Sequence, residues 1–516
     1  MRGRGRPSAA AAGRGRAAAG GLLLGLAFQR LPLGFLSWFA FVPLLDALDA
    51  RLRAGGGARA CFRAGWTFGF VFYLVGMHWI ARLSEVAITV PWLKYPAAVA
   101  AAAYLALFTG VAAALAGALA RRSGLSLAAT FPPSYLAVEV VRGSGELGFP
   151  WFQPGYAQHA YTALVQMAAL GGVGLVTLWV LVLNVLVWRA LTARARGRAA
   201  LGAALALLLP WAWGTRALDA APSERGPAVA LIQGNIPGAL KWSGRHQREI
   251  LATFVRLTEQ AAADTLRPSL AIWPETATGS WLRKQPEQAV EVALLVARTG
   301  VPVFAGFADY EAGPGGALRT YNAAGLFGPR GAVGERYAKR HLVPFGERMP
   351  FQWLVPALGR LELGQAEWTP GRGTVLFPSA AGPFASLVCF ESIFPDLARG
   401  DVRRGARWLV NVTNDEWFGN SVALDQHAAM AVFRAVENRV PVARCANTGL
   451  TLVVDAWGRV IARLPAFREA VLVARLPRPG PATPFTRWGD WPGFAALLGV
   501  VALASSRLLV GPGRLR

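Results

Sequence analysis

Cysteine and lysine are the scarce residues of this sequence. Its three cysteines, Cys61, Cys389 and Cys445, stand far apart. They are too few for a disulfide framework and lack the CxxC spacing of a zinc site. The five histidines, His78, His159, His246, His341 and His427, show no HxxxH or comparable spacing, so they read as structural or surface residues. No metal and no cofactor is implied. Lysine occurs only at Lys94, Lys241, Lys284 and Lys339 among 53 basic residues. Arginine serves wherever any cation will do, so each lysine is a candidate for work that only a compact ammonium does. Charge as a whole is also sparse. Only 16% of residues are charged and 54% are hydrophobic, against roughly 25% and 45–50% in soluble domains, which places much of the chain in a membrane.

The net charge of +24 raises nucleic acid as a partner. The arginines, however, cluster beside apolar runs, as they do on the cytoplasmic flanks of membrane helices, and no nucleic-acid partner is expected. Arginine-rich segments lie at 2–16, 51–63, 121–122 and 189–198, with more at the C-terminus. The first apolar region runs from Gly20 to Leu48, interrupted by Arg30-Leu31-Pro32-Leu33-Gly34. Splitting it into two spans puts every basic segment on one side, which a single long span would not. The expected spans are about 17–29, 32–48, 64–81, 96–120, 125–142, 161–188, 199–215 and 489–506, near the length a bilayer requires.

The resulting expectation is a basic cytoplasmic N-terminus (1–16), a helical membrane domain of seven spans (17–215), an extracytoplasmic domain (216–485), and a last span with a basic cytoplasmic tail (486–516). Both termini are then cytoplasmic, and the large domain faces the periplasm or exterior of a bacterial cell.

In 216–485 the pattern changes to short apolar runs alternating with helical stretches. The runs Ala228–Ile232, Ser269–Trp273, Val301–Ala305, Ala385–Val388 and Trp408–Val412 read as strands of an α/β sheet. Hairpins are expected over 321–337 and around Trp457-Gly458.

Three residues stand where these elements end. Cys389 follows the strand Ala385–Val388 and precedes a helical stretch. A thiol there is either a small buried hydrophobe, as most free cysteines are, or a nucleophile lifted on a strand-to-helix turn toward backbone N–H groups. Glu275, in Trp273-Pro274-Glu275-Thr276, is either a helix N-terminal acid or a base whose pKa is raised by apolar neighbours. Lys339, in Tyr337-Ala338-Lys339-Arg340-His341, is either a surface cation or an ammonium that steadies a thiolate and a developing oxyanion. Glu139 and Arg142, ending the expected span 125–142, are costly in a bilayer unless paired, and a polar contact with the extracytoplasmic domain is expected for them.

The order Trp-Pro-Glu, Tyr-Ala-Lys-Arg-His, Cys-Phe-Glu resembles the carbon–nitrogen hydrolase (nitrilase) superfamily. With the membrane domain, Gly148–Tyr156, Gln233–Pro237 and Asn411–Gly419, nearly the whole chain resembles the apolipoprotein N-acyltransferases. That resemblance implies an αββα nitrilase-like sandwich beside the helical domain and a catalytic triad of Glu275 (base), Lys339 (oxyanion and thiolate stabiliser) and Cys389 (nucleophile). Glu347 and Glu391 are implied as supporting residues, and Trp242 and Trp417 as acyl-chain or lid contacts; the apolar segment 348–368, directly after Glu347, is expected to form a membrane-facing arm that gates lipid entry, with Trp353 as a substrate contact. Where the family has a tyrosine after the nucleophile, this chain has Phe390. The implied reaction transfers an acyl chain from a membrane phospholipid, through a Cys389 thioester, to the α-amine of a diacylated apolipoprotein. A membrane-tethered amidase would use the same triad on a small amide but needs no eight spans. A transporter would need the spans but not the triad.

Overall fold

The computed structural model describes residues 9–84, 90–222, 224–313, 316–360 and 366–506. It divides into a helical unit (Met1–Ala81, Trp92–Asp219 and Asp490–Arg516) and an α/β unit (Arg82–Pro91 and Ala220–Gly489).

The helical unit is built from α1 (Ala9–Leu26), α2 (Val42–Arg53), α3 (Ala58–Gly76), α4 (Lys94–Ser123), α5 (Leu127–Arg142), α6 (Thr162–Val165), α7 (Ala168–Thr192), α8 (Arg196–Asp219) and a C-terminal helix, Trp491–Ser505. Among the described residues, the stretches Ala58–Arg82, Pro91–Ser123, Ala168–Thr192 and Arg196–Asp219 are long and apolar enough to cross a membrane. Helices α3 and α4 meet backbone to backbone through small residues, as helices in lipid do. A Cβ at Gly69 would fall 1.9 Å from the Thr109 hydroxyl, which donates to the Gly65 carbonyl at 3.0 Å. Along α8, Leu201, Leu205, Leu208 and Leu209 are exposed, a surface suited to lipid rather than water.

The first apolar region is broken where Arg30–Gly34 suggested. The second helix starts later than expected, however, because Gly34–Trp38 forms a 3₁₀ turn before α2. Gly34 packs against the Ala157 carbonyl, and that tertiary contact, invisible in the hydropathy pattern, fixes the turn. The expectation for Glu139 and Arg142 also needs correction. They pair with each other, Arg142 Nε donating to Glu139 Oε1 at 3.0 Å, and Arg142 also donates to the Phe149 carbonyl. Spacing of three on one helix already lets the charges meet, so the pair is compensated inside its own unit.

The α/β unit contains two six-stranded sheets. One joins β1 (Arg225–Gln233), β2 (Ala271–Ile272), β3 (Val303–Ala312), β4 (Leu318–Gly328), β5 (Gly331–Ala338) and β12 (Ala470–Pro477) in the order β12-β1-β2-β3-β4-β5. The other joins β6 (Leu376–Phe377), β7 (Phe384–Val388), β8 (Trp408–Thr413), β9 (Val442–Ala446), β10 (Thr451–Val454) and β11 (Val460–Leu464) in the order β11-β10-β9-β8-β7-β6. In each sheet three neighbouring strands run parallel, β1-β2-β3 and β7-β8-β9.

Alternation decides the layers. Val229 and Leu231 of β1 face Val410, Val412 and Ala443 of the other sheet in one core. Ala230 and Ile232 face Phe254 of α10 (Gln247–Ala262) and Leu295 of α11 (Pro286–Thr299) in a second. Helices α12 (Pro395–Arg403) and α13 (Ala423–Asn438) cover the second sheet, which gives a helix–sheet–sheet–helix stack. A short helix α9 (Gly238–Lys241) follows β1.

Candidate active site

Ligands of parallel α/β sheets bind at the carboxyl ends of the strands, and the three candidate residues are found at strand ends. Glu275 lies three residues beyond β2, Lys339 follows β5, and Cys389 follows β7.

Cys389 opens a 3₁₀ turn, Cys389–Ile393, and takes a left-handed φ of +50°. A non-glycine residue holds that conformation only where its surroundings enforce it. Glu391 does so here. Its buried carboxylate accepts from Val388 N at 2.7 Å, Arg340 N at 2.6 Å, His341 N at 3.2 Å and the Tyr337 hydroxyl at 2.7 Å. One side chain thus fastens the cysteine turn to the segment carrying Lys339. Cys389 is partly exposed, whereas Cys61 and Cys445 are buried. Burial, reinforced by the Glu275 charge, pushes the Cys389 thiol up, while Lys339 opposes that rise. The resting group is therefore a thiol that needs a base.

Lys339 is 1% exposed and donates to Glu347 Oε1 at 2.8 Å, with Glu275 Oε1 at 3.6 Å. Burial alone would lower its pKa, but Glu347 and then Glu275 override this and hold it well above the ordinary lysine value, so the ammonium stays charged. Glu275 accepts from Asn322 Nδ2 at 2.7 Å and from Asn414 N at 2.8 Å. Its pKa is raised, chiefly by burial and against the pull of Lys339. Glu347 accepts from Asn322 Nδ2 at 3.1 Å and from Val343 N at 2.8 Å. The sequence-derived cluster Glu275, Lys339, Cys389, Glu347 and Glu391 is therefore gathered in one place.

The tryptophans differ. Trp242, after α9, is 49% exposed and Trp353 is 70% exposed, while Trp417 is partly buried and accepts from Ser84 N at 3.1 Å through its carbonyl. Phe390 is buried and packs edge-on against Phe394, with ring centroids 5.3 Å apart.

Several residues of the site were not singled out in the sequence. Asn322 bridges Glu275 and Glu347; its only local signal is an amide within the apolar run of β4. Asp415 is fully buried, taking His427 Nδ1 at 2.9 Å, Arg444 Nη2 at 2.6 Å and the Thr413 hydroxyl at 2.9 Å. His427 Nε2 lies 3.1 Å from the Cys389 carbonyl and 3.0 Å from Ser392 Oγ. Lys241, by contrast one of the four scarce lysines already noted in the sequence, is wholly buried, and its ammonium has no hydrogen-bond partner among the described residues. Burial lowers its pKa to about 8 against the opposing charges of Glu275 and Glu416.

Asp415 also makes a stability prediction. Arg444 first and His427 next overcome its burial and hold its carboxyl well below the usual range. A carboxyl depressed on folding contributes stability that is complete above its unfolded pKa of about 3.9 and is lost as pH falls toward the folded value. The difference in melting temperature between the wild type and Asp415→Asn should therefore be largest at neutral pH and shrink below about pH 4. Thermal melts at pH 3 and pH 7 check this, and a difference that grows on acidification would contradict it.

Glu275, Lys339 and Cys389 thus bring a carboxylate, an ammonium and a thiol to the ends of strands in the two sheets, and residues 228–480 match the carbon-nitrogen hydrolase family. Residues 20–186 match the apolipoprotein N-acyltransferase N-terminal domain. Proteins named apolipoprotein N-acyltransferase are 35% identical in Geobacter metallireducens (94% of this chain, 93% of the relative), 34% in Brucella melitensis (93% and 91%) and 32% in Chlorobaculum tepidum (94% and 96%). The chain belongs to the apolipoprotein N-acyltransferase family. Among solved structures, a mutant of the Nesterenkonia AN1 amidase of the nitrilase superfamily is 18% identical over 50% of this chain and 93% of its own, with a TM-score of 0.38.

Proposed function

We propose that this protein moves an acyl chain from a membrane phospholipid to the α-amine of a diacylglyceryl-cysteine at the N-terminus of an apolipoprotein, in two half-reactions on Cys389. The observation that carries this reading is the convergence of Glu275 and Lys339 on a partly exposed cysteine held at a left-handed turn.

In the first half-reaction Glu275 takes the Cys389 proton and the thiolate attacks the ester carbonyl. Lys339 and backbone N–H groups of the turn hold the oxyanion. Collapse expels the glycerol oxygen, which recovers the proton from Glu275 and leaves as lysophospholipid. A thioester remains. In the second half-reaction the acceptor amine attacks the thioester, Glu275 takes the amine proton, and the released thiolate takes it back. Glu347 keeps Lys339 aimed, and Glu391 keeps the turn in place.

The membrane setting follows from both substrates. Extracting an acyl chain into water costs about 0.8 kcal/mol per CH₂, so the chemistry belongs at the bilayer surface. Basic segments clustered beside apolar runs support eight spans with cytoplasmic termini and residues 216–485 on the extracytoplasmic face of a bacterial inner membrane. Trp242 and Trp417 serve the acyl chain in this reading. The segment 348–368, of which 361–365 lie outside the described residues, is an arm that admits lipid. Its Phe351, Trp353, Leu354 and Val355 are all exposed.

Charging the arm tests this. Trp353→Asp with Leu354→Asp should slow acyl-enzyme formation from phospholipid vesicles about tenfold or more, the scale of losing one or two large apolar contacts. A short soluble thioester donor should react at the wild-type rate. Equal rates with vesicles would remove the arm from the account. Cys389→Ala tests the reading as a whole, since an acyltransferase then loses all transfer and a transporter loses little.

A further inference from the structure

Asn322 uses only half of its side-chain amide. Nδ2 donates to Glu275 Oε1 at 2.7 Å and to Glu347 Oε1 at 3.1 Å, which occupies both of its hydrogens. Oδ1 is buried and has no hydrogen-bond partner among the described residues. The neighbours decide which atom is which. Reversing the amide would turn its carbonyl oxygen onto two carboxylates that share the Lys339 ammonium, and would leave both hydrogens without those acceptors.

The sheet points this amide toward the nucleophile. Along β4, Tyr321 and Ala323 enter the core shared with α10 and α11, while Ala324 and Leu326 enter the core between the two sheets. Alternation places Asn322 with the second set, and Cys389 packs against that same core from the other sheet. Lys339 N donates to the Asn322 carbonyl at 2.8 Å, so the backbone is tied down as well. A buried acceptor without a donor costs about 1–3 kcal/mol, and such an orphan calls for a donor that the folded chain does not itself supply.

The two proposed half-reactions differ in the donors they bring. A phospholipid ester has no N–H or O–H at its reacting carbonyl, whereas a primary amine has two N–H groups. As the amine attacks the thioester, its lone pair forms the C–N bond and the C–S pair leaves on sulfur. One amine proton passes to Glu275 and from there to the Cys389 sulfur. The other stays on nitrogen as the amide N–H. Because Oδ1 and Nδ2 share one carbon, a donor on Oδ1 lies beside Glu275 Oε1, where the nitrogen gives up its first proton.

We infer that Asn322 Oδ1 accepts the second hydrogen of the attacking amine, which makes Asn322 a catalytic residue of the second half-reaction and a selector of primary over N-substituted amines. In the first half-reaction it only positions Glu275 and Glu347 through Nδ2. The inference rests on the acyltransfer reading proposed above.

The test uses the full-length protein in lipid nanodiscs. Acyl-enzyme is formed from phospholipid, or from a short soluble thioester where a variant acylates slowly. It is then discharged by two diacylated lipopeptides, one with a free α-amine and one N-methylated, and the loss of the adduct is followed by intact-protein mass spectrometry. The methyl group crowds the nitrogen in every variant, so the change in the ratio of the two rates between wild type and variant isolates the second hydrogen. Asn322→Leu, close to asparagine in size, should slow both half-reactions and lower the preference for the primary amine about tenfold, the scale of one hydrogen bond from a charged donor. Asn322→Ala carries the same expectation and decides the matter if the leucine variant does not fold. A role limited to positioning Glu275 and Glu347 would slow both amines alike and leave the ratio at its wild-type value. Asn322→Asp, set between two carboxylates, retains its proton, donates through it and presents a carbonyl oxygen in place of Oδ1, so it should keep the wild-type ratio. A ratio unchanged in the apolar variants, or lost in Asn322→Asp as it is in Asn322→Leu, would overturn the inference. A wild-type acyl-enzyme that neither lipopeptide discharges would instead overturn the acyltransfer reading, and methylamine against dimethylamine on the same thioester would still decide whether Oδ1 takes the second N–H.

Discussion

Glu275→Gln should slow acyl-enzyme formation by about 10²–10⁴-fold, the usual contribution of a positioned general base. Glutamine has the shape of glutamate but cannot take a proton. Asn322 Nδ2 and Asn414 N, the two donors on the carboxylate, can be met by the single carbonyl oxygen of the amide only in part, so one donor also loses its acceptor. Lys339 keeps its closer partner Glu347 at 2.8 Å, and the fold should survive. The pH profile separates loss of the base from loss of structure. Burial holds the Cys389 thiol above its ordinary value, so without Glu275 the thiolate forms only as hydroxide removes the proton. Residual activity of the variant should rise with pH across the range where the wild type has levelled off. A variant that retains wild-type acylation, or one whose profile is merely scaled down, would contradict the assignment of Glu275 as base.

Lys339→Met should have two effects of different origin. The oxyanion loses its cationic donor, worth about 10²–10³-fold in rate. The carboxylates of Glu347 and Glu275 also lose the ammonium at 2.8 Å and 3.6 Å while remaining buried. Breaking a buried pair from one side costs about 3–5 kcal/mol, so the melting temperature should fall together with the rate. Lys339→Arg separates the two. A guanidinium keeps the charge but is planar and larger, so it should recover part of the stability and little of the rate. If arginine restores full activity, the site needs only a positive charge, and the specific role of an ammonium is wrong.

The sequence showed the ends of elements better than the contacts across them. Cys389 and Glu275 were legible because each follows a short apolar run, and Lys339 because lysine is scarce and this one follows the expected hairpin. The runs Ala228–Ile232, Ala385–Val388 and Trp408–Val412 lie within β1, β7 and β8. What local pattern could not show is pairing at long range. Strand β12 lies against β1, Leu231 opposite Leu472, although more than two hundred residues separate them. Asn322, too, reads as an ordinary strand residue until β4 brings it between Glu275 and Glu347. His427 was read as structural or surface, and its position beneath Cys389 depends on α13 packing over β9 and against the turn Cys389–Ile393. Glu139 and Arg142 show the opposite error. Their pairing was local, three residues apart on one helix, and a distant partner was expected in its place.

Phe390 stands where related chains were expected to carry a tyrosine. Its ring packs against Phe394 and lies 6.0 Å from the ring of His341, so the position is filled by aromatic packing. The turn is held instead by Glu391, which collects four donors from Val388, Tyr337, Arg340 and His341. The geometry of the nucleophile therefore does not depend on a hydroxyl at residue 390.

The central claim is that Cys389 carries the acyl chain between two lipid substrates, and intact-protein mass spectrometry tests it most directly. The purified full-length protein is mixed with phospholipid alone, then with a diacylated lipopeptide bearing a free α-amine. A mass increase of one acyl chain, mapped to Cys389 and discharged by the lipopeptide with formation of the triacylated product, is the expected result. No adduct on Cys389, or an adduct that ammonia or water discharges and the lipopeptide does not, would contradict it.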